Sequence, residues 1–356
     1  MKRFVMLVVT SCLASIAALA FAPALAGSLD PPGAPAPTMK TLDQVEARTP
    51  IAALPFTINA PGSYYLAANL TAASGADGIV VNAASATIDL NGFTLDGAGL
   101  SASAHGIYLA APSGSGHYTI RNGVITRWGI GVWQNAAGPD LFLSDLVVRS
   151  SQSDGVRCYD VLAFRSTLNF NQGAGIALNG VGIVRDCRVA GNNGGGILAM
   201  GPRTLVEDCV LDANSYTGIQ IGDNGIVRNC VITNTISTGG NGHAINGGVG
   251  VQVVGNNLMG NAGYGAALGA NAYVASNSAK GNGGSGLSFL SDSRVEGNEV
   301  SGNGFRGITT TGANCFIVKN TSHGNASANF YVSGANTIAP IDTTGTSTNP
   351  WSNFSY

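Results

Sequence analysis

Apolar and polar residues alternate along most of this chain in very short runs. Each run carries apolar side chains at every second position over only a few residues, and turns rich in Gly and Asn separate one run from the next. Such runs are typical of short strands and are too short for helices. The pattern therefore predicts an all-β protein.

The runs recur with a period of about 21 residues, which is the range of solenoid repeats. One column of small polar residues marks the period at Cys187, Cys209, Cys230, Asn256, Asn277, Asn298 and Asn320. Three residues before each of them lies Val184, Val206, Val227, Val253, Val274, Val295 or Ile317. A second asparagine follows most members after five residues, and an apolar residue, usually preceded by Gly, follows after ten.

A coil of this length cannot bury its own apolar face. Coils stacked about 4.8 Å apart give every strand a hydrogen-bonded neighbour above and below. The repeat therefore predicts a parallel β-helix.

The asparagines and cysteines have a structural interpretation in this fold. An asparagine side chain carries both a donor and an acceptor, so identical residues stacked coil on coil can bond to one another. Cys187, Cys209 and Cys230 share one column, and Cys158 and Cys315 fall beside core positions. We expect buried free thiols that are neither nucleophiles nor metal ligands. A disulfide between column neighbours is the alternative, although in-register parallel strands seldom offer its geometry.

The two ends of the chain differ from the repeat. Residues 1–26 combine Lys2 and Arg3, an apolar stretch and the small-residue pattern Ala-Leu-Ala, which is typical of a signal peptide. Export to the periplasm, the cell surface or the medium follows, with no membrane span after cleavage. We divide the remainder into a Pro-rich lead-in and N-terminal cap helix (27–54), the β-helix (55–340) and a C-terminal aromatic cap (341–356) that includes Trp351.

Composition narrows the range of partners. Charged residues make up 10% of the chain and the net charge is −2, so no basic footprint for nucleic acid is present. The oligomeric state is left open.

Three segments carry a resemblance to a known superfamily. These are residues 61–66 (Pro-Gly-Ser-Tyr-Tyr-Leu), 86–95 (Ala-Thr-Ile-Asp-Leu-Asn-Gly-Phe-Thr-Leu) and 119–123 (Thr-Ile-Arg-Asn-Gly). With the coil register, they resemble exported bacterial β-helix repeat proteins of the pectate-lyase-like superfamily over residues 55–340. The resemblance implies a single-stranded right-handed parallel β-helix, here of about ten to eleven coils. Its members include pectate and alginate lyases, polygalacturonases, epimerases and non-catalytic adhesins, so it does not choose a chemistry.

The catalytic signatures of that superfamily are missing. Polygalacturonase-like members carry Asn-Thr-Asp, Asp-Asp, Gly-His-Gly and Arg-Ile-Lys, and none of these occurs here. The adjacent acids Glu207 and Asp208 have Arg185 and Arg228 beside them in neighbouring coils, which indicates a salt-bridge column. No dense acidic cluster suggests Ca²⁺ and no His or Cys spacing suggests a transition metal. We predict no metal or cofactor, and dependence on Ca²⁺ is left open.

One outward surface has the side chains of a sugar-binding groove. Strand alternation places Tyr108, Trp133, Arg157 and Tyr159 outside the core, with Asp160 nearby. Aromatic rings suit the apolar face of a pyranose and a guanidinium suits a carboxylate. The alternative is that these rings pack under a loop.

A second irregular feature is the longer coil that contains residues 238–248, a Gly-rich insertion with His243. Insertions in solenoids often lie on the binding face. His243 and Arg157 are therefore the candidate catalytic residues, although a lone histidine in such a loop is more often inert.

Three functional hypotheses follow. The first is an exported β-helix protein without a catalytic set that binds glycans or acts at the cell surface. The alternative is a lyase or epimerase acting on a uronate-containing polysaccharide. The third is a structural spacer that binds a protein partner or itself.

Overall fold

Three parallel sheets wind around a common core. A computed structural model describes residues 47–110, 116–138, 140–237 and 239–356, and all of the regular structure in these residues is β-strand. Strands follow one another from sheet 1 to sheet 2 to sheet 3 and back, and each pairs in parallel with the equivalent strand of the next coil. The predicted all-β parallel β-helix is confirmed.

Sheet 1 is a separate sheet of 13 strands. In chain order these are Phe56–Ile58 (β2), Ile79–Val81 (β5), His105–Leu109 (β8), Ile130–Gln134 (β10), Val156–Cys158 (β12), Ala174–Leu178 (β15), Gly195–Ala199 (β18), Thr217–Ile221 (β21), His243–Gly247 (β24), Ala266–Leu268 (β27), Leu287–Phe289 (β30), Arg306–Thr310 (β33) and Ala328–Val332 (β36).

Sheets 2 and 3 are continuous with each other through two long strands, His117–Thr126 (β9) and Asp140–Arg149 (β11). Sheet 2 otherwise holds Thr49–Ile51 (β1), Gly62–Leu66 (β3), Ala86–Asp89 (β6), Val161–Phe164 (β13), Gly182–Arg185 (β16), Leu205–Glu207 (β19), Ile226–Arg228 (β22), Gln252–Val254 (β25), Tyr273–Ala275 (β28), Arg294–Glu296 (β31), Phe316–Val318 (β34) and Thr337–Ile338 (β37). Sheet 3 holds Leu70–Thr71 (β4), Thr94–Asp96 (β7), Thr167–Asn169 (β14), Arg188–Ala190 (β17), Val210–Asp212 (β20), Val231–Thr233 (β23), Asn257–Met259 (β26), Ser278–Lys280 (β29), Glu299–Ser301 (β32), Thr321–His323 (β35), Ile341–Asp342 (β38) and Asn353–Ser355 (β39).

The corner between sheets 2 and 3 explains much of the turn composition. One residue at this corner takes a positive φ in most coils, a conformation that Gly, Asn and Asp adopt most readily. The column contains Asn122, Asp145, Arg165, Asp186, Asp208, Asn229, Gly255, Ser276, Gly297 and Lys319. At this corner a single left-handed residue thus turns the chain from sheet 2 to sheet 3.

The core consists of the inward residues of the three sheets. The valine column that marked the repeat pairs strand to strand in register, as at Val206 and Val227, and is fully buried. Ile176, Ile197 and Ile219 form the matching column of sheet 1. Alternation in the sequence therefore correctly separated core from surface in these coils.

Buried asparagine ladders run inside the solenoid. In the first, each side-chain Nδ2 donates to Oδ1 of the next coil at 2.9–3.1 Å, from Asn256 through Asn277, Asn298 and Asn320 to Asn353. The second ladder repeats this pattern at Asn261, Asn282, Asn303 and Asn325. Buried amides would be costly without partners, and the ladder satisfies both their donors and their acceptors.

The cysteines of the described residues are all free and buried. Burial raises the pKa of the Cys158 thiol far above its usual range, and the nearby Asp160 charge adds to the effect. A hydrogen bond with Cys209, together with burial, does the same for Cys187. Thiolates are the reactive form, so the raised pKa disfavours a nucleophilic role for Cys158 and Cys187.

Two predictions about the N-terminal coils are wrong. Sheet 1 shows about 13 turns, not ten to eleven, because the first coils lack the asparagine columns and were not counted. The cap helix predicted within residues 27–54 does not include residues 49–51, which form β1 and pair with β3. The rest of that helix, the signal peptide and the Pro-rich lead-in lie outside the described residues. In the described part, no helix could cross a membrane.

Candidate functional site

The outer side of sheet 1 brings three of the candidate residues into one column. Trp133 of β10 pairs with Tyr108 of β8 on one side and with Arg157 of β12 on the other. All three side chains are partly exposed. Because in-register residues of neighbouring parallel strands are about 4.8 Å apart, they form one continuous surface.

Three aromatic rings meet at this place. Tyr108 and Trp133 stack with ring centroids 4.9 Å apart and an interplanar angle of 14°. The ring of His105, three residues before Tyr108, lies 4.4 Å from Trp133 and 5.3 Å from Tyr108. We call His105, Tyr108 and Trp133 the ring cluster. The sequence had indicated the last two and missed His105.

A carboxylate orients the histidine of the ring cluster. Asp77 Oδ1 accepts hydrogen bonds from the backbone N–H and from ring Nδ1 of His105, both at 2.7 Å. With Nδ1 engaged as the donor, Nε2 of the neutral ring is the acceptor. Asp77 and His105 are 28 residues apart and lie in neighbouring coils. Predicting their contact from the sequence would have required aligning the first coils with the repeat.

Arg157 is held by a neighbouring acid. Its Nε donates to Asp154 Oδ2 at 2.7 Å and an Nη donates weakly to Ser153 Oγ at 3.3 Å. Asp154 also accepts the backbone N–H of Ala174. The guanidinium charge is therefore compensated within the protein.

Tyr159 and Asp160 leave the sheet at the turn towards sheet 2. The backbone N–H of Tyr159 donates to Gln134 Oε1 at 3.1 Å. Asp160 Oδ1 accepts the N–H of Val181 at 2.8 Å. Asp160 borders a surface depression of about 380 Å³ with Asp140 and apolar residues of sheet 2, so it lies beside the ring cluster rather than within it.

His243 lies apart from these residues. It begins β24, four strands of sheet 1 after β12. Its ring stacks on Tyr264 at 4.9 Å, and its Nδ1 accepts the backbone N–H of Tyr264 at 3.0 Å. Because Nδ1 accepts this hydrogen bond it carries no proton, so the ring is neutral with its proton on Nε2; burial also lowers the pKa of His243. That tautomer donates at Nε2, which is not the geometry of a general base.

The acidic pair of sheet 2 is a salt-bridge column. Glu207 is buried and accepts hydrogen bonds from Arg185 and Arg228 of the two adjacent coils. Burial alone would raise the pKa of Glu207, but the bonds from Arg228 and Arg185 hold it below its usual value. No sugar-facing carboxylate pair is formed here. Within the described residues, no group of three or more His, Cys, Asp or Glu side chains converges on a metal position.

Comparison with known proteins agrees with this architecture. Residues 128–279 match the family model described as the right handed beta helix region. The described chain is a parallel β-helix, and its residues 128–279 are similar to right-handed β-helix regions. The expected resemblance to the pectate-lyase-like β-helix repeat proteins is thus confirmed for the fold. No curated protein matches this β-helix protein in sequence.

Several solved structures are distantly similar to this β-helix protein. A periplasmic alginate epimerase is 13% identical, with a TM-score of 0.45 and 78% of each chain covered. The A-module of a mannuronan C-5 epimerase from Azotobacter vinelandii is 14% identical, with a TM-score of 0.37, covering 84% of this chain and 91% of that one. A pectate lyase is 14% identical, with a TM-score of 0.40, covering 72% and 70%. Similarity at this level carries no information on activity.

Proposed function

We propose that this β-helix protein binds a polysaccharide on the outer side of sheet 1, at the ring cluster. The observation that carries the proposal is the stacked pair Tyr108 and Trp133, two partly exposed rings on a flat and regular sheet. Aromatic rings pack well against the apolar faces of sugars. A cluster of exposed aromatic side chains commonly marks a binding surface.

Polar groups at the edge of the ring cluster supply hydrogen bonds. His105 has Nε2 free because Asp77 engages Nδ1, and Arg157 lies in the next coil after Trp133. Since Asp154 compensates the charge of Arg157, we expect hydrogen bonding to hydroxyl groups rather than capture of a net negative charge. Binding at this cluster should therefore depend weakly on salt.

A glycan array followed by calorimetry with the best glycan tests the proposal. Trp133→Ala removes the larger ring and is expected to weaken binding by at least about tenfold. Phe170→Ala, which removes an exposed ring from the corner between sheets 3 and 1, should leave binding unchanged. Equal affinities for wild type and Trp133→Ala would contradict the proposal. Absence of glycan binding together with self-association would favour the structural spacer.

The proposal includes export, because polysaccharides of this kind lie outside the cytoplasm. It rests on the signal-like residues 1–26. Expression of the full chain in a bacterial host, followed by N-terminal sequencing of the extracytoplasmic protein, should give a mature chain that begins near residue 27. Retention of the intact chain in the cytoplasm would overturn this part.

The Asp77–His105 pair favours a second candidate, a lyase or epimerase acting on a uronate-containing polysaccharide. Both reactions begin when a base removes the proton beside the uronate carboxylate. His105 is held by Asp77 with Nε2 available to accept a proton, which is the arrangement of a general base. Arg157 would donate hydrogen bonds to the sugar from the neighbouring coil.

Two assays test this candidate on alginate, polygalacturonate and glycosaminoglycans. A lyase produces unsaturated uronates that absorb ultraviolet light, and an epimerase incorporates deuterium from D₂O into the polymer. Both signals should disappear in His105→Gln and persist in His243→Gln. Absence of both signals on all substrates would leave the ring cluster as a binding surface only.

A further inference from the structure

A second surface on sheet 1 carries an arginine without a carboxylate partner. Arg306 begins β33, and the exposed Phe305 precedes it. Its guanidinium carbon lies 3.3 Å from the ring centroid of Tyr331 and 4.6 Å from that of Phe305. Tyr331 is also exposed and comes from β36 of the next coil. We call Phe305, Arg306 and Tyr331 the arginine stack.

Arg306 differs from the other partly buried arginines of the described chain. Arg48 pairs with Asp89, Arg157 with Asp154 and Arg185 with Glu207. No carboxylate in the described residues pairs with Arg306, whose one side-chain hydrogen bond is a long contact of 3.5 Å from Nη1 to Thr309 Oγ1. Its Nε is buried and has no acceptor.

These features fix a charge at the surface and leave it uncompensated. The two rings hold the guanidinium plane in place, and cation–π contact retains its positive charge. A partly desolvated cation attracts an anion more strongly than a fully hydrated one. A planar guanidinium is also matched to the two oxygens of a carboxylate.

We propose that the arginine stack is an anion subsite that binds the carboxylate of an acidic polysaccharide. The two exposed rings beside the guanidinium can contact the apolar face of the sugar that bears the carboxylate. Arg306 lies on the same outer side of sheet 1 as the ring cluster, eight strands further along, which is roughly 40 Å at the spacing of parallel strands. The subsite stands on its own observations and does not require binding at the ring cluster.

Calorimetry with oligogalacturonate and its fully methyl-esterified form tests the subsite, because esterification removes the charge and keeps the sugar chain. We expect wild type to bind the acidic form, with affinity that falls as salt rises. Arg306→Gln should weaken that binding by about tenfold and leave binding of the ester unchanged. Arg188→Gln, which removes an exposed arginine of sheet 3, is the matched control for net charge and should stay within about twofold.

Several outcomes would overturn the subsite. These are no binding of the acid by wild type, equal binding of the ester, or an equal loss in Arg188→Gln. Dextran sulfate distinguishes the anion: loss of its binding in Arg306→Gln without binding of oligogalacturonate would exclude a carboxylate site. If Arg306→Gln does not fold, Arg306→Lys keeps the charge without the planar fork, and it should bind the acid more weakly than wild type. If Trp133→Ala does not alter glycan binding, the proposed binding at the ring cluster is wrong, but the proposed subsite at the arginine stack is not contradicted.

Discussion

Two regions towards opposite ends of sheet 1 carry similar side chains, but the charges of those side chains are compensated differently. Beside the ring cluster, Asp154 compensates the charge of Arg157, and within it Asp77 accepts a hydrogen bond from His105. At the arginine stack, rings replace the carboxylate and Arg306 is left without one. Both arrangements lie on sheet 1. The chemistry of such a surface is therefore set by the side chains of the adjacent coils and not by the fold.

The comparison also separates two kinds of recognition. A compensated surface contributes ring stacking and hydrogen bonds, which depend weakly on salt, whereas an uncompensated arginine contributes a charge. A polysaccharide with both neutral and acidic regions could satisfy both surfaces. The substitutions predicted below change the carboxylates and rings that lie beside these arginines.

The largest loss of stability is expected at Glu207, the carboxylate that pairs with two arginines. Glu207→Gln leaves Arg185 and Arg228 without a carboxylate around a buried residue. We expect a loss of about 2 kcal/mol in the free energy of unfolding at pH 7, measured with denaturant, because breaking a buried pair costs more than an exposed one. Glu299→Gln, on the exposed outer side of sheet 3, should cost little.

The pH dependence of that difference has a definite sign. The folded-state pKa of Glu207 lies below its ordinary value of 4.5. Its stabilisation is therefore fully present above the unfolded-state pKa and is lost as the pH falls through the folded-state pKa. Wild type and Glu207→Gln should converge in acid. A gap that persists at low pH would mean that packing, rather than charge, causes the difference.

A smaller effect is expected from releasing Arg157. Asp154→Asn removes the charge that compensates it, at a cost of about 1 kcal/mol in stability. The ring cluster should then gain roughly threefold in affinity for oligogalacturonate at low salt, by calorimetry, because a rim charge is worth under about 1 kcal/mol. The gain should vanish in the double variant Asp154→Asn, Arg157→Gln. No gain would show that compensation does not distinguish the two ends.

The smallest effect concerns one ring of the arginine stack. Tyr331→Leu keeps an apolar side chain but removes the ring that lies over Arg306. We expect about 0.5 kcal/mol of destabilisation by thermal unfolding, the usual size of an exposed cation–π contact, and roughly twofold weaker binding of the acid. Tyr331→Phe, which keeps the ring, should match wild type in both measurements.

Much of the fold was predictable from the sequence because each ladder requires the same residue type at the same position of successive coils. A residue such as Asn277 must bond to its equivalents on both sides, so the same residue type recurs at a fixed spacing. The first coils have no asparagine that repeats at a fixed spacing. Their interior is filled by large rings such as Tyr118 and Trp128, which fit one place only and produce no repeat.

The candidate site was less predictable for the same reason. Strand alternation correctly placed Trp133 and Arg157 on one outer surface, but it does not reveal what each side chain bonds to. Asp77 and His105 lie in the early coils, where the register was not visible. Arg306 was also missed, because an unpaired arginine is recognised only when the surrounding carboxylates are known to be elsewhere.

The asparagine ladders give the solenoid a property beyond their hydrogen bonds. In the first ladder every bond between side chains runs from Nδ2 of one coil to Oδ1 of the next coil towards the C-terminus, from Asn256 to Asn353, while the other hydrogen of Nδ2 bonds to a backbone carbonyl of the preceding coil. The amide dipoles therefore add head to tail, as peptide dipoles do in an α-helix, and each bond polarises the next. The coils from Asn256 to Asn353 thus have an electrical direction along their stacking axis, set by uncharged side chains in their interior.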